Sequence, residues 1–317
     1  MKPHASNPIK LREIIIAASI AVILLVLGGI FDFQLSEKVY IPGSESWYGI
    51  IGAAVVELPV CLGLGFGGAS LILNRFKYKK WIEIAAIVIG AIAIGLSVYF
   101  IFDTFNDISK DIQRMAQYKK LILILSILFA VVMESLIVGL VFLAKYKLNF
   151  DEHDMLVLGL FMLVLAAGAA IVSNGAKFLW SRPRPRYIFS LDDPKGAFHS
   201  FWQIDPLASL LKAKKMGISS GSLKSFPSGH TTYAATGMFV LPYIAACSKK
   251  VREDRRILVI LFYIGLLWAV LAGLSRVYAG AHFLSDTAAG MLVTLLVGSL
   301  MHFLFVFKKE KAPEQGA

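Results

Sequence analysis

Three segments of the 317-residue chain combine cations, histidines and one carboxylate at spacings that could do chemistry. In Lys177-Phe178-Leu179-Trp180-Ser181-Arg182-Pro183-Arg184-Pro185, a lysine stands seven residues before an Arg-Pro pair. Alone, this reads better as the basic border of a membrane helix, with Lys177 reaching out of the apolar phase. Ser225-Phe226-Pro227-Ser228-Gly229-His230 joins a turn, a donor, a residue that lets backbone approach a ligand and a proton carrier. Amides at such a helix start favour an anion. In the run Ser275-Arg276 to Asp286, His282 and Asp286 are four residues apart and share one face of a helix. The carboxylate can then bond one ring nitrogen and leave the other as a lone-pair nucleophile. Lys177, Arg184 and Arg276, the turn at Ser228 and Gly229, and the histidines His230 and His282 with Asp286 together meet the needs of phosphoryl transfer. Cations neutralise the equatorial oxygens, one histidine attacks, and the other protonates the leaving oxygen. Spacing alone does not decide which histidine attacks; the Asp286 partner argues for His282.

The elements that must carry these residues are membrane helices. The chain is 57% hydrophobic and 17% charged, with a mean hydropathy of +0.69. Counting Gly in place of Tyr raises the apolar share to about 62%, against roughly 45–50% in soluble domains. Eight apolar blocks long enough to span a bilayer lie at about 13–31, 48–73, 82–102, 121–144, 155–176, 230–247, 257–275 and 283–307. They predict an all-α, polytopic bundle, because lipid leaves a strand edge unpaired. The first block lacks a small-residue cleavage site before Phe31-Asp32-Phe33 and is expected to stay in the mature protein. The long polar connection 178–229 exceeds ordinary helix-to-helix loops and is a candidate functional segment.

An even number of spans puts both termini on one side. With the termini inside, about 17 Lys and Arg fall in cytoplasmic loops against about 6 outside, setting aside Lys177 and the 178–229 loop. All three motifs then share the extracytoplasmic face. Including the long loop narrows the comparison to about 17 against 15, so its charges need another purpose. The net charge of +11 is scattered along span borders, which speaks against a nucleic-acid partner.

In these three segments the sequence resembles the type 2 phosphatidic acid phosphatase, or lipid phosphate phosphatase, superfamily. Its pattern of Lys-x6-Arg-Pro, Pro-Ser-Gly-His and Ser-Arg-x5-His-x3-Asp is matched throughout, over a six-span core at about 82–307. The resemblance implies a metal-independent phosphatase without a cofactor that works through a phosphohistidine. It implies His282 as nucleophile, Asp286 as its orienting partner and His230 as general acid and base. Lys177, Arg184, Ser228, Gly229 and Arg276 are implied as the phosphate cradle. Residues 1–81, with two spans, and the tail 308–317 fall outside that core. The expected substrate is a lipid phosphate or diphosphate: undecaprenyl diphosphate, phosphatidylglycerol phosphate or phosphatidate. A glucose-6-phosphatase-like hydrolase of a soluble ester is the alternative, and a non-catalytic anionic-lipid binder or transporter a more distant one.

The remaining residues have plainer readings. Cys61 and Cys247 lie in apolar stretches and read as packing residues. His4, His153, His199 and His302 lack a zinc-site arrangement. Glu57 and Glu134 are intramembrane carboxylates, expected to hydrogen-bond between helices. Gly63, Gly65, Gly67 and Gly68 could allow close helix approach. Phe189, Phe198, Phe201 and Trp202 would suit a substrate whose tails stay in the bilayer.

Overall fold

A computed structural model describes residues 8–41, 46–73, 79–111, 118–147, 152–205 and 217–304, together with 211, 213 and 215. Tail 308–317 and the basic residues Lys2, Arg75, Lys77, Lys308, Lys309 and Lys311 lie outside them. The described residues form α1 (Leu11–Val39), α2 (Trp47–Val55), α3 (Leu58–Leu73), α4 (Lys80–Asp111), α5 (Lys119–Tyr146) and α6 (Glu152–Trp180). They continue with α7 (Pro185–Ile188), α8 (Gly229–Ala235), α9 (Gly237–Ala246), α10 (Lys249–Glu253), α11 (Arg255–Tyr278) and α12 (Leu284–Leu304). Strands are absent among the described residues. Seven helical stretches among the described residues are long and apolar enough to cross a membrane, with α2 and α3 acting as one. The protein is an integral-membrane helical bundle.

The sixth expected span, 230–247, is present as two shorter pieces, α8 of 7 residues and α9 of 10. Thr236 is the reason. Its hydroxyl donates to the Tyr233 carbonyl at 2.6 Å, and its own N–H reaches the same carbonyl at 3.2 Å. Both bonds close a tight turn that interrupts the helix for one residue, while the Thr236 backbone keeps helical dihedrals of φ −57° and ψ −25°. The break between α2 and α3 falls at Val56–Glu57, where Pro59 has no N–H to extend the ladder backwards. Thr104 on α4 donates to Glu57 at 3.2 Å, and Ser97 donates to Glu134 at 2.5 Å. Both intramembrane carboxylates therefore bond across helices.

Helix α3 is the hub of one half of the bundle, packing on α4, α5 and α6. A Cβ on either Gly68 or Gly90 would meet the other's carbonyl oxygen at 2.6 Å, so the glycines set the α3–α4 spacing. In the other half, α8, α11 and α12 pack together, and α1 lies along α12 while α2 lies along α11. The first two predicted spans thus pack directly on the helices that carry the motifs. Helices α4 and α5, which begin the expected 82–307 core, pack mainly on α3 and on each other. The buried core, including Phe66, Phe161, Phe239, Tyr243 and Phe262, fills the space between the two halves.

Contact between α1 and α12 is closest at Gly28, where an added Cβ would lie 2.8 Å from the Ser285 Cα and closer still to its backbone nitrogen. Main chain cannot yield as a flexible side chain would. Gly139 on α5 has open space around it. Gly28→Ala should therefore cost about 1–3 kcal/mol of stability through overpacking, whereas Gly139→Ala should be neutral or slightly stabilising. Thermal unfolding of the two purified variants in detergent checks this; equal melting points would refute the packing account.

Candidate active site

The site is assembled at one end of the bundle from the C-terminal ends of α6 and α11 and the N-terminal ends of α8 and α12. Each motif is a helix end, so a short sequence segment delivers both a side chain and its positioning turn. Lys177 lies in the last turn of α6, Arg276 in the last turn of α11 and Asp286 in the first turn of α12. Ser228 caps α8, its hydroxyl accepting from the Thr231 amide at 3.3 Å, and Gly229 and His230 open that helix. Arg184 immediately precedes α7, with its amide donating to the Ser222 carbonyl at 2.8 Å.

Two populations of residues emerge. Ser228, Gly229, Arg276, His282 and Asp286 are buried, whereas Lys177, Arg184 and His230 are half-buried and reach the opening. The rings of His230 and His282 meet edge to face, with centroids 6.1 Å apart at 65°. A Cβ at Gly229 would lie 2.8 Å from Lys177 Nζ, so glycine there makes room for the ammonium group.

His282 is 1% exposed. Its Nδ1 lies 2.7 Å from the Ser225 carbonyl oxygen and 3.8 Å from the Asp286 carboxylate. A carbonyl can only accept, so Nδ1 carries the proton and Nε2 keeps its lone pair. The Nδ1 proton goes to the Ser225 carbonyl, with the Asp286 carboxylate beside it at ion-pair distance. The carboxylate instead accepts from the Phe283 amide at 2.8 Å, the Ser225 hydroxyl at 2.5 Å and Arg182 Nη1 at 2.5 Å. Its bond to Phe283 is the return half of a capping box, three residues into α12. Through Ser225 and Phe283 it fixes both sides of His282. Burial is the main cause that lowers the His282 pKa from 6.5 to about 3; Arg184 and His230 act in the same direction and Asp286 opposes them. The imidazole is therefore neutral well below neutral pH.

Arg182, one of the basic residues of the 178–229 segment, is fully buried and bonded to the protein. Its Nη2 meets Asp32 of α1 at 2.9 Å, Nη1 meets Asp286 and, at 2.8 Å, the Ser285 hydroxyl, and Nε meets the His199 carbonyl at 2.8 Å. Phe283 lies under the guanidinium, 4.3 Å from its carbon to the ring centre. The Arg186 amide donates to the Gly280 carbonyl at 2.8 Å. Arg276 donates through Nη2 to the Gly49 carbonyl of α2. Sequence reasoning missed Asp32 and Gly49. An acid near the end of an apolar span was the available signal for the first; a main-chain acceptor gives none. Phe189 and Phe198 pack with Phe33, Ile188 and Phe283 over the site as a closed aromatic cluster, and Trp202 is 60% exposed. Of the four aromatics expected near the lipid, Trp202 is exposed and Phe189, Phe198 and Phe201 are half-buried.

Residues 158–310 match the PAP2 superfamily. Among curated proteins, the chain is 28% identical to lipid phosphate phosphatase 1 of Arabidopsis thaliana over 236 residues, covering 72% of this chain and 68% of that one. It is 27% identical to phosphatidylglycerophosphatase B of Haemophilus influenzae over 195 residues, covering 56% and 77%. Lipid phosphate phosphatase 2 of Arabidopsis thaliana is 25% identical over 238 residues, covering 73% and 78%. No solved structure matches the chain significantly. All three motifs meet at one end of a membrane bundle, within the matched region or at its helix ends, and the chain belongs to the PAP2 superfamily as a phosphatase of its integral-membrane branch.

Proposed function

We propose that this protein hydrolyses the phosphate or diphosphate headgroup of a membrane lipid at the extracytoplasmic face, through a phosphohistidine on His282. The observation that carries the reading is the commitment of His282 Nδ1 to the Ser225 carbonyl, which leaves Nε2 as the nucleophile opposite His230. Lys177, Arg184 and Arg276 supply the positive charge that phosphoryl oxygens need as charge develops on them, with Ser228 and Gly229 opening the helix end beside them. His282 Nε2 attacks phosphorus while the ester P–O bond breaks, and His230 gives its proton to the departing oxygen. His230 then takes a proton from water, whose oxygen attacks phosphorus. The P–N bond breaks, releasing phosphate and restoring His282. The three cations fill the charge-neutralising part of this cycle, so the reading needs no metal.

Lipid specificity is supported by the lipid phosphate phosphatases and the phosphatidylglycerophosphatase among the relatives. A site at helix ends also suits a headgroup whose tails remain in the bilayer. Candidate substrates remain undecaprenyl diphosphate, phosphatidylglycerol phosphate and phosphatidate, in a bacterial-type plasma membrane. The orientation is supported by the opposite end of the bundle, which carries Lys10, Arg12, Lys79, Lys80, Lys145, Lys147, Arg252, Arg255 and Arg256. Arg182, buried against carboxylates, no longer counts against it.

Phosphate release from these lipids and from glucose 6-phosphate tests the substrate class; much faster release from the sugar would overturn the lipid reading. His282→Ala should lose at least about 10³-fold in kcat, and EDTA should leave the wild-type rate unchanged. The depressed His282 pKa gives a separate test. Because its folded value lies below 6.5, the ring should remain neutral at pH 5; ¹⁵N NMR assigned by difference from His282→Ala would show this, and a midpoint between 6 and 7 would refute it. For orientation, Lys195→Cys should react with an impermeant maleimide on intact cells and Glu253→Cys should not, the native Cys61 and Cys247 being buried. The opposite labelling pattern would place the site in the cytoplasm.

A further inference from the structure

Asp32 lies on α1, more than 100 residues before the segment matched by the family. It is 2% exposed. Its carboxylate accepts from Arg182 Nη2 at 2.9 Å, from the Ser285 amide at 3.0 Å and from the Ser285 hydroxyl. Asp286 likewise accepts three donors. Three donors to an acceptor-only group is the pattern of an ionised carboxylate. Two carboxylates therefore share one guanidinium, and the cluster holds one negative charge in surplus, 3.8 Å from the His282 ring at its nearest atom.

We propose that Asp32 is a positioning residue for phosphoryl transfer, holding Arg182 and Ser285 so that Asp286 stays aligned and the surplus negative charge faces His282. The inference rests on His282 being the nucleophile. When Nε2 bonds to phosphorus, the imidazole gains positive charge in a site with little water to spread it. A fixed negative charge already in place stabilises that state without reorganisation. Without Asp32, Arg182 would bear on Asp286 alone, cancelling its charge and freeing Ser285 to turn. Asp32 meets the site from behind Arg182 and touches no part of the substrate position, so its removal should act on the chemical step and not on binding.

The test measures the rate per competent site. Full-length protein in detergent is mixed rapidly with ³²P-labelled dioctanoyl phosphatidate and quenched in alkali, which preserves a P–N bond. Labelled sites are counted, and turnover is divided by that count. Asp32→Asn should lower kcat per labelled site by about 10- to 100-fold, as loss of an outer-shell partner commonly does, with KM within about threefold of wild type. Asp32→Glu, which keeps the charge, should lie closer to wild type. An unchanged rate per site with fewer labelled sites would assign Asp32 to folding alone and overturn the proposal, as would a complete absence of labelled sites in both Asp32→Asn and Ser285→Ala. Asp32→Glu falling below Asp32→Asn would also overturn it. His282→Ala separates the two levels: a labelled, active His282→Ala enzyme would sink the nucleophile reading itself. An unlabelled, inactive one beside a fully active Asp32→Asn would sink only the role of Asp32.

Discussion

The buried Arg182 guanidinium is the interaction on which the rest of the site depends. A lone cation at 0% exposure would carry a large desolvation penalty, and only paired carboxylates with further hydrogen bonds offset it. Arg182 meets both conditions through Asp32, Asp286, the Ser285 hydroxyl and the His199 carbonyl. These four partners lie on α1, on α12 and in the loop over the site, so one side chain ties three parts of the fold. Removing either carboxylate would leave charge buried without its full complement, a change that typically costs about 3–5 kcal/mol. Asp286, held in this way, orders Ser225 and Phe283, which stand on either side of His282.

A division of labour follows from burial. One set is buried and fixed by bonds to main chain: His282 to the Ser225 carbonyl, Arg276 to the Gly49 carbonyl and the Ser228 hydroxyl to the Thr231 amide. The groups suited to meeting an incoming headgroup, Lys177, Arg184 and His230, are half-buried at the opening. Low-dielectric surroundings strengthen the first set, and solvent contact lets the second exchange ions and protons. The aromatic cluster of Phe33, Phe189, Phe198 and Phe283 keeps water from the buried side.

The helices and the three motifs were legible in the sequence for the same reason: each is a local pattern. An apolar block announces a span by its length, and His282 and Asp286 announce a shared helix end by their spacing. Long-range partners have no such sign. Asp32 stands 150 residues from Arg182 and 253 from Ser285 along the chain, and nothing in its neighbours marks the pairing. Ser225 was visible as part of a motif, but its carbonyl is common to every residue, so its bond to His282 could not be read. The role of Arg182 was hidden because its carboxylate partners, Asp32 and Asp286, lie 150 and 104 residues away along the chain. The interruption at Thr236 was hidden because hydropathy registers the apolar character of 230–247 and is blind to a hydroxyl that turns back on its own helix.

The interruption at Thr236 leaves His230 on a helix of only seven residues, α8, whose placement depends on what holds it from outside. The short piece is tethered on its own account: Ser228 donates its amide to the Asp286 carbonyl at 2.9 Å, and Thr294 donates its hydroxyl to the Thr232 carbonyl at 2.6 Å. One helix therefore sets the surroundings of both histidines: α12 holds the start of the piece that bears His230 and carries the Asp286 carboxylate 3.8 Å from His282 Nδ1.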